Sequence, residues 1–184
     1  MKIKSNALPQ EHDSPHYEVN RQFCEDFERY VATKNGNVKG SYNAWSFLVS
    51  GKIEGKKPWT IKYKKATFSG APTILWRSTK SQSIFTSVTW TCEAINTSNS
   101  KIFIRKKRAA DRFNPRFKQF KHYKRYVIKS NTKETELLCQ VFDILRSLFV
   151  SEEIYRLQIK NNKIIIELRC EVHYFKILDK LLEL

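Results

Sequence analysis

The spacing of apolar residues changes period several times along the chain. After Ser14-Pro15, a start signal pairing a capping hydroxyl with a residue whose missing N–H costs nothing in the first turn, Val19, Phe23, Phe27, Tyr30 and Val31 recur at three- and four-residue steps. They form one stripe, opposite Glu18, Arg21, Glu25 and Glu28, and predict an amphipathic helix that Asn35-Gly36 ends. Residues 1–13 show no periodicity and are expected to fray.

From Trp45 the period becomes two. Trp45, Phe47, Val49 and Ile53 alternate with small or polar residues, and after Gly55-Lys56-Lys57-Pro58 the alternation resumes at Trp59, Ile61 and Tyr63, which predicts a hairpin with Thr60, Lys62 and Lys64 facing outward. Further strands are predicted at 73–77, 84–95, 101–106 and 123–129. In the 84–95 segment Val88, Trp90 and Cys92 share one face and Ser87, Thr89 and Thr91 the other.

A helix is expected over 133–150, with Asn131 and Glu134 as a capping box and Leu137, Leu138, Val141, Ile144, Leu145 and Leu148 as its apolar face. A C-terminal hairpin over 154–170 follows, turning at Asn161-Asn162. A two-residue type I′ turn there sets Ile159 opposite Ile164, Leu157 opposite Ile166 and Tyr155 opposite Leu168, with Arg156 facing Glu167 on the other side. A terminal helix over 172–184 places Phe175, Leu178, Leu181 and Leu182 together. Strands run together with helices segregated around them, so the expected fold is a single α+β domain, residues 14–184, with a mainly antiparallel sheet.

Composition supports a folded domain: 184 residues with 4 Trp, 8 Tyr and 12 Phe supply a sizeable core. No apolar run reaches the length of a membrane helix, and the first thirty residues lack the apolar stretch of a secretion signal. Cys24, Cys92, Cys139 and Cys170 lie far apart among apolar neighbours, as expected of reduced core thiols in a cytoplasm or at its membrane face. The spacing offers no metal site.

Charge changes the picture most. The formal net charge is +16, and the excess belongs to the middle of the chain: residues 34–80 hold ten Lys or Arg against Glu54, and residues 101–130 hold twelve against Asp111. Such asymmetry fits an anionic partner, while a plain Lys-rich bias on solvated strand faces would give the same totals. Within the second segment Arg105, Lys106, Lys107, Arg108, Arg112, Arg116, Lys118, Lys121, Lys124 and Arg125 are interleaved with aromatic residues, of which Phe113, Tyr123 and Tyr126 could stack on a base. Phe113, Phe117 and Phe120 could equally be the buried side of a short helical turn.

Catalytic signatures are missing. There is no phosphate-binding glycine loop, no Gly-x-Ser-x-Gly and no His-Glu-x-x-His, and none of His12, His16, His122 and His173 has a partner in the sequence. The expectation is therefore a non-catalytic basic module, without cofactor or metal, that binds an acidic protein or an anionic membrane surface. Single-stranded nucleic acid is the alternative partner, and an enzyme of unrecognised class comes last.

Gly51-Lys52-Ile53-Glu54-Gly55 ahead of a strand, a later strand at Lys101–Arg105, and Phe113-Asn114-Pro115-Arg116-Phe117 leading into 123–130 are followed by the Leu137-Leu138 helix, the hairpin and the last helix. This order resembles a set of uncharacterised bacterial domains of unknown function, many of them attached to membranes by upstream helices. The resemblance implies a fold and brings no activity, cofactor or catalytic residue with it.

Overall fold

The computed structural model describes residues 2–65, 86–93, 100–131 and 136–184, with the Arg112 side chain excepted. Helix α1, Pro15–Thr33, starts where Ser14 Oγ accepts the His16 N–H at 3.3 Å. It stops at Asn35, whose φ of 54° takes the left-handed conformation, and the Gly36 N–H returns to the Val31 carbonyl at 2.9 Å. Its buried residues are Tyr17, Asn20, Cys24, Phe27, Tyr30 and Val31, while Val19 is exposed. The inward stripe thus runs one step away from the expected position at the first turn, because Asn20 turns inward to donate to the Asn43 and Ala44 carbonyls.

Strands β1 (Ile3–Ser5), β2 (Asn37–Tyr42), β3 (Phe47–Ile53), β4 (Trp59–Lys65), β5 (Thr86–Cys92), β6 (Ile102–Lys106), β7 (Lys118–Gln119), β8 (Tyr126–Ser130), β9 (Ile154–Lys160) and β10 (Lys163–Arg169) form one sheet. Its order is β1-β2-β3-β4-β5-β10-β9-β6-β8-β7. All pairs are antiparallel except β1 with β2. The remaining helices are α2 (Glu136–Ile144), α3 (Arg146–Val150) and α4 (Phe175–Leu182). The architecture is α+β, as the sequence implies.

Helices cover one face of the sheet, where Ile61, Tyr63, Val88, Trp90, Leu157 and Ile166 are buried. The other face carries half-buried or exposed residues such as Lys62, Lys64, Thr89 and Glu167. Helix α1 seats on the sheet at Gly51 in β3. A Cβ there would lie 2.7 Å from Val31 Cγ2 and 2.8 Å from Phe27 Cζ, so the absent side chain is what allows this helix–strand distance.

Both hairpins form. Ile53 pairs with Trp59, and the second hairpin turns on Asn161 and Asn162 with φ of 52° and 57°. Ile159 faces Ile164, Leu157 faces Ile166 and Arg156 faces Glu167, as expected. Leu168, however, pairs with Ile154 rather than Tyr155, through a bulge. Burying Ile154 contributes about 2 kcal/mol, whereas a core Tyr at that position would need a partner for its hydroxyl. Tyr155 is therefore left on the outer face.

Other boundaries differ too. Residues 3–5, expected to fray, are held as the edge strand β1. Strand β2 has no clear alternation and escapes a period-two reading. Trp45 lies outside β3 and is half-exposed. The 123–129 strand begins only at Tyr126, the helix of 133–150 is broken at Leu145 into α2 and α3, and α4 starts at Phe175 rather than 172. Asn131 Oδ1 accepts the Lys101 N–H at 2.7 Å, and its expected capping box with Glu134 falls outside the described residues. The strand at 73–77, both ends of the strand at 84–95, and Glu134 lie outside the described residues. Cys24, Cys92 and Cys170 are buried as expected, while Cys139 is exposed.

Candidate polyanion-binding cleft

The basic segment forms the connection between β6 and β8. A 3-10 turn over Ala109–Phe113 and the short edge strand β7 shape it, so Phe113, Phe117 and Phe120 share no helical face. Only Phe120 enters the core, against Phe142 and Phe149.

The fastening of this connection is internal. Arg105 Nη1 and Nη2 donate to the Asp111 carboxylate at 2.8 and 2.6 Å, and the same carboxylate accepts the Arg108 N–H at 2.6 Å. The Arg105 guanidinium also lies 4.4 Å from the centre of the Phe117 ring. These donors hold the Asp111 carboxyl down at about 2. Arg105 is therefore a structural cation. The Lys107 N–H donates to the Arg125 carbonyl at 2.8 Å, and the Gln119 amide donates to the Lys124 and Tyr126 carbonyls. The two arms of the connection are thereby tied side by side.

Between the arms lies a shallow, open cleft of about 430 Å³ lined by Lys106, Lys107, Arg108, Lys124 and Arg125, with Ala109 and Glu152. Lys107 Nζ lies 3.2 Å from Gln119 Oε1. Glu152 is the acidic residue on its lining. Its carboxylate accepts Arg125 Nε at 2.9 Å and stands 3.8 Å from Lys106 Nζ. With φ of 60°, Glu152 has a left-handed backbone, a conformation costing an L residue about 1–2 kcal/mol; the α3–β9 turn holds it there.

Five of the ten basic residues singled out in the sequence thus meet at one place. Arg116, Lys118 and Lys121 are exposed but lie off the cleft lining, Arg105 is engaged with Asp111, and Arg112 has no described side chain. Among the three rings considered for stacking, Phe113 is 89% exposed. Tyr123 is half-buried and stacked on Phe149 at 4.7 Å. Tyr126 is in the core, its hydroxyl donating to the Ile154 carbonyl at 3.1 Å, so it offers no face to a ligand, and burial pushes that hydroxyl above its ordinary range. Glu152 carries no local signal in the sequence, where an acidic pair ahead of a strand, Glu152-Glu153, needs nothing beyond loop solvation to account for it. A cluster of cations in need of a counter-charge is the signal that would have pointed to it.

Among the described residues no helix is long and apolar enough to cross a membrane. Comparison with protein-family models, with curated proteins and with solved structures found no match.

Proposed function

We propose that this protein is a non-catalytic module that binds an anionic partner in the cleft between Lys106–Arg108 and Lys124–Arg125. The carrying observation is that five basic side chains line one open cleft whose walls are tied by the Lys107 N–H donating to the Arg125 carbonyl and by the Gln119 amide donating to the Lys124 carbonyl. Cations held this way do not have to be gathered when a ligand arrives, so less ordering entropy opposes binding. A concave site a few side chains wide suits a chain of anionic groups better than a membrane plane, which would meet only its rim.

The test is retention of heparin or inorganic polyphosphate at low salt, compared with the double variant Lys107→Glu/Lys124→Glu. Both side chains are exposed, so the thermal midpoint should stay within a degree or two while binding is lost. Wild-type protein that binds neither polyanion at low ionic strength would remove this reading.

A further inference from the structure

The cleft does not end at Arg108. The Arg108 guanidinium lies 3.5 Å from the Tyr155 hydroxyl, and the Tyr155 ring is covered by the Arg169 guanidinium at 4.5 Å. The register carries the line on: Arg169 of β10 pairs with Ser87 of β5, which pairs with Lys64 of β4. Lys64 is exposed on the outer face of the sheet. Its neighbour Lys65 points the other way, donating to Asn20 Oδ1. From Lys64 to Tyr155 is three strand-to-strand steps, roughly 14 Å.

We propose that the cleft is one end of a track for single-stranded nucleic acid, which leaves it over Tyr155 and Arg169 and crosses the outer sheet face to Lys64. This rests on the cleft being a polyanion site and names its ligand class. Width decides between ligands. In the adjoining row of the same face Lys62 pairs with Thr89, Thr89 with Glu167, and Glu167 forms an ion pair with Arg156. Between β5 and β9 that row has no net charge, so among the described residues the basic strip there is one row wide. A lipid surface engages a broad field of cations, and a duplex presents two rigid backbones, whereas one flexible line of phosphates can follow a single row. An aromatic and a guanidinium plane lie along it, Tyr155 under Arg169, and Phe113 is exposed on the connection that carries the cleft residues. Bases stack on such planes without sequence preference.

The experiment measures fluorescence polarisation of labelled fifteen-nucleotide poly(dT) and poly(U), a duplex of equal length, heparin, and vesicles of phosphatidylserine and phosphatidylcholine. Wild type should prefer the single strands. Lys64→Glu, at an exposed position outside the cleft lining, should lower the salt slope of single-strand binding by about 0.7 and leave heparin bound in the cleft nearly unchanged. Tyr155→Leu should weaken single strands roughly tenfold, and Tyr155→Phe should restore most of that loss. If Lys64→Glu and Tyr155→Leu bind single strands as wild type does while Lys107→Glu/Lys124→Glu does not, the track is wrong and the cleft stands. Tighter binding of duplex or vesicles than of single strands would also overturn the track. If wild type binds no polyanion, both ideas fall together.

Discussion

Arg105 and Asp111 form a two-pronged ion pair, at 2.8 and 2.6 Å, in which the Asp111 side chain retains only 5% of its exposure. One of the most basic stretches of the chain is thus built around its single acid. The carboxylate also holds the Arg108 amide, so it sets the direction in which the next three cations leave β6.

The Asp111 carboxyl titrates near 2, below its free value of 3.8. A depressed carboxyl pKa stabilises the fold fully above the free value and ceases to do so as pH falls through 2. The Asp111 carboxyl carbon followed by NMR should show that midpoint. Asp111→Asn should speed hydrogen exchange at the Arg108 amide and weaken polyanion binding, although it removes a negative charge, because Arg105 stays under Phe117 and the cleft loses its anchor.

Glu152 has the opposite sign. Its carboxylate stands against Arg125 and Lys106 where a phosphate would. Glu152→Asn keeps a residue that tolerates the left-handed backbone and removes the competing charge. Polyanion affinity, measured by titration at fixed salt, should rise several-fold; an unchanged affinity would place the ligand elsewhere.

Gly51→Ala should cost about 1–3 kcal/mol, since the new methyl meets Val31 and Phe27 at distances that force the helix off the sheet. Urea denaturation read by tryptophan fluorescence checks this. The change should leave cleft binding intact in the folded protein, because α1 lies on the other half of the sheet.

His173 is stacked between Phe23 at 3.8 Å and Phe175 at 4.5 Å, with Nε2 2.9 Å from the Phe23 carbonyl. Its Nδ1 is buried without a partner. Burial lowers its pKa from 6.5, with the Phe23 carbonyl opposing only in part. The unfolded chain therefore takes up the proton first, and stability should fall as pH drops below about 6.5 towards the folded value. His173→Phe should flatten that slope in thermal melts from pH 7 to 5; parallel slopes would show that other groups govern it.

How much of this could be read from residues alone follows their physics. The Asn161-Asn162 hairpin was legible because turn chemistry, apolar pairing and the Arg156–Glu167 pair all require one register. The Tyr155 bulge was not, because alternation cannot tell which of two adjacent apolar residues gains more from burial. Strand β2 hid behind Lys39, Gly40 and Ser41, whose places in the sheet come from neighbours rather than from side-chain pattern. At the cleft, charge density marked the segment, but nothing local distinguished Arg105, which is consumed by Asp111, from Lys106 and Lys107, which are not. Phe113 and Tyr126 likewise look alike in sequence, and only long-range packing separates an exposed ring from a core one.

The position of β10 between β5 and β9 has a consequence for synthesis. Among the described strands, β1–β5 and the group β6, β8 and β7 are joined in the sheet by the C-terminal hairpin, so until residues 154–169 have left the ribosome β5 and β6 each lack that ladder partner. Both edges are long-range partners waiting for the same late segment, an arrangement that slows completion of the sheet and exposes it to wrong pairings meanwhile. Chains interrupted before the hairpin should accordingly collect as aggregates or chaperone clients, and the strength of the Asn-Asn turn, by closing β9 on β10 early, shortens that interval.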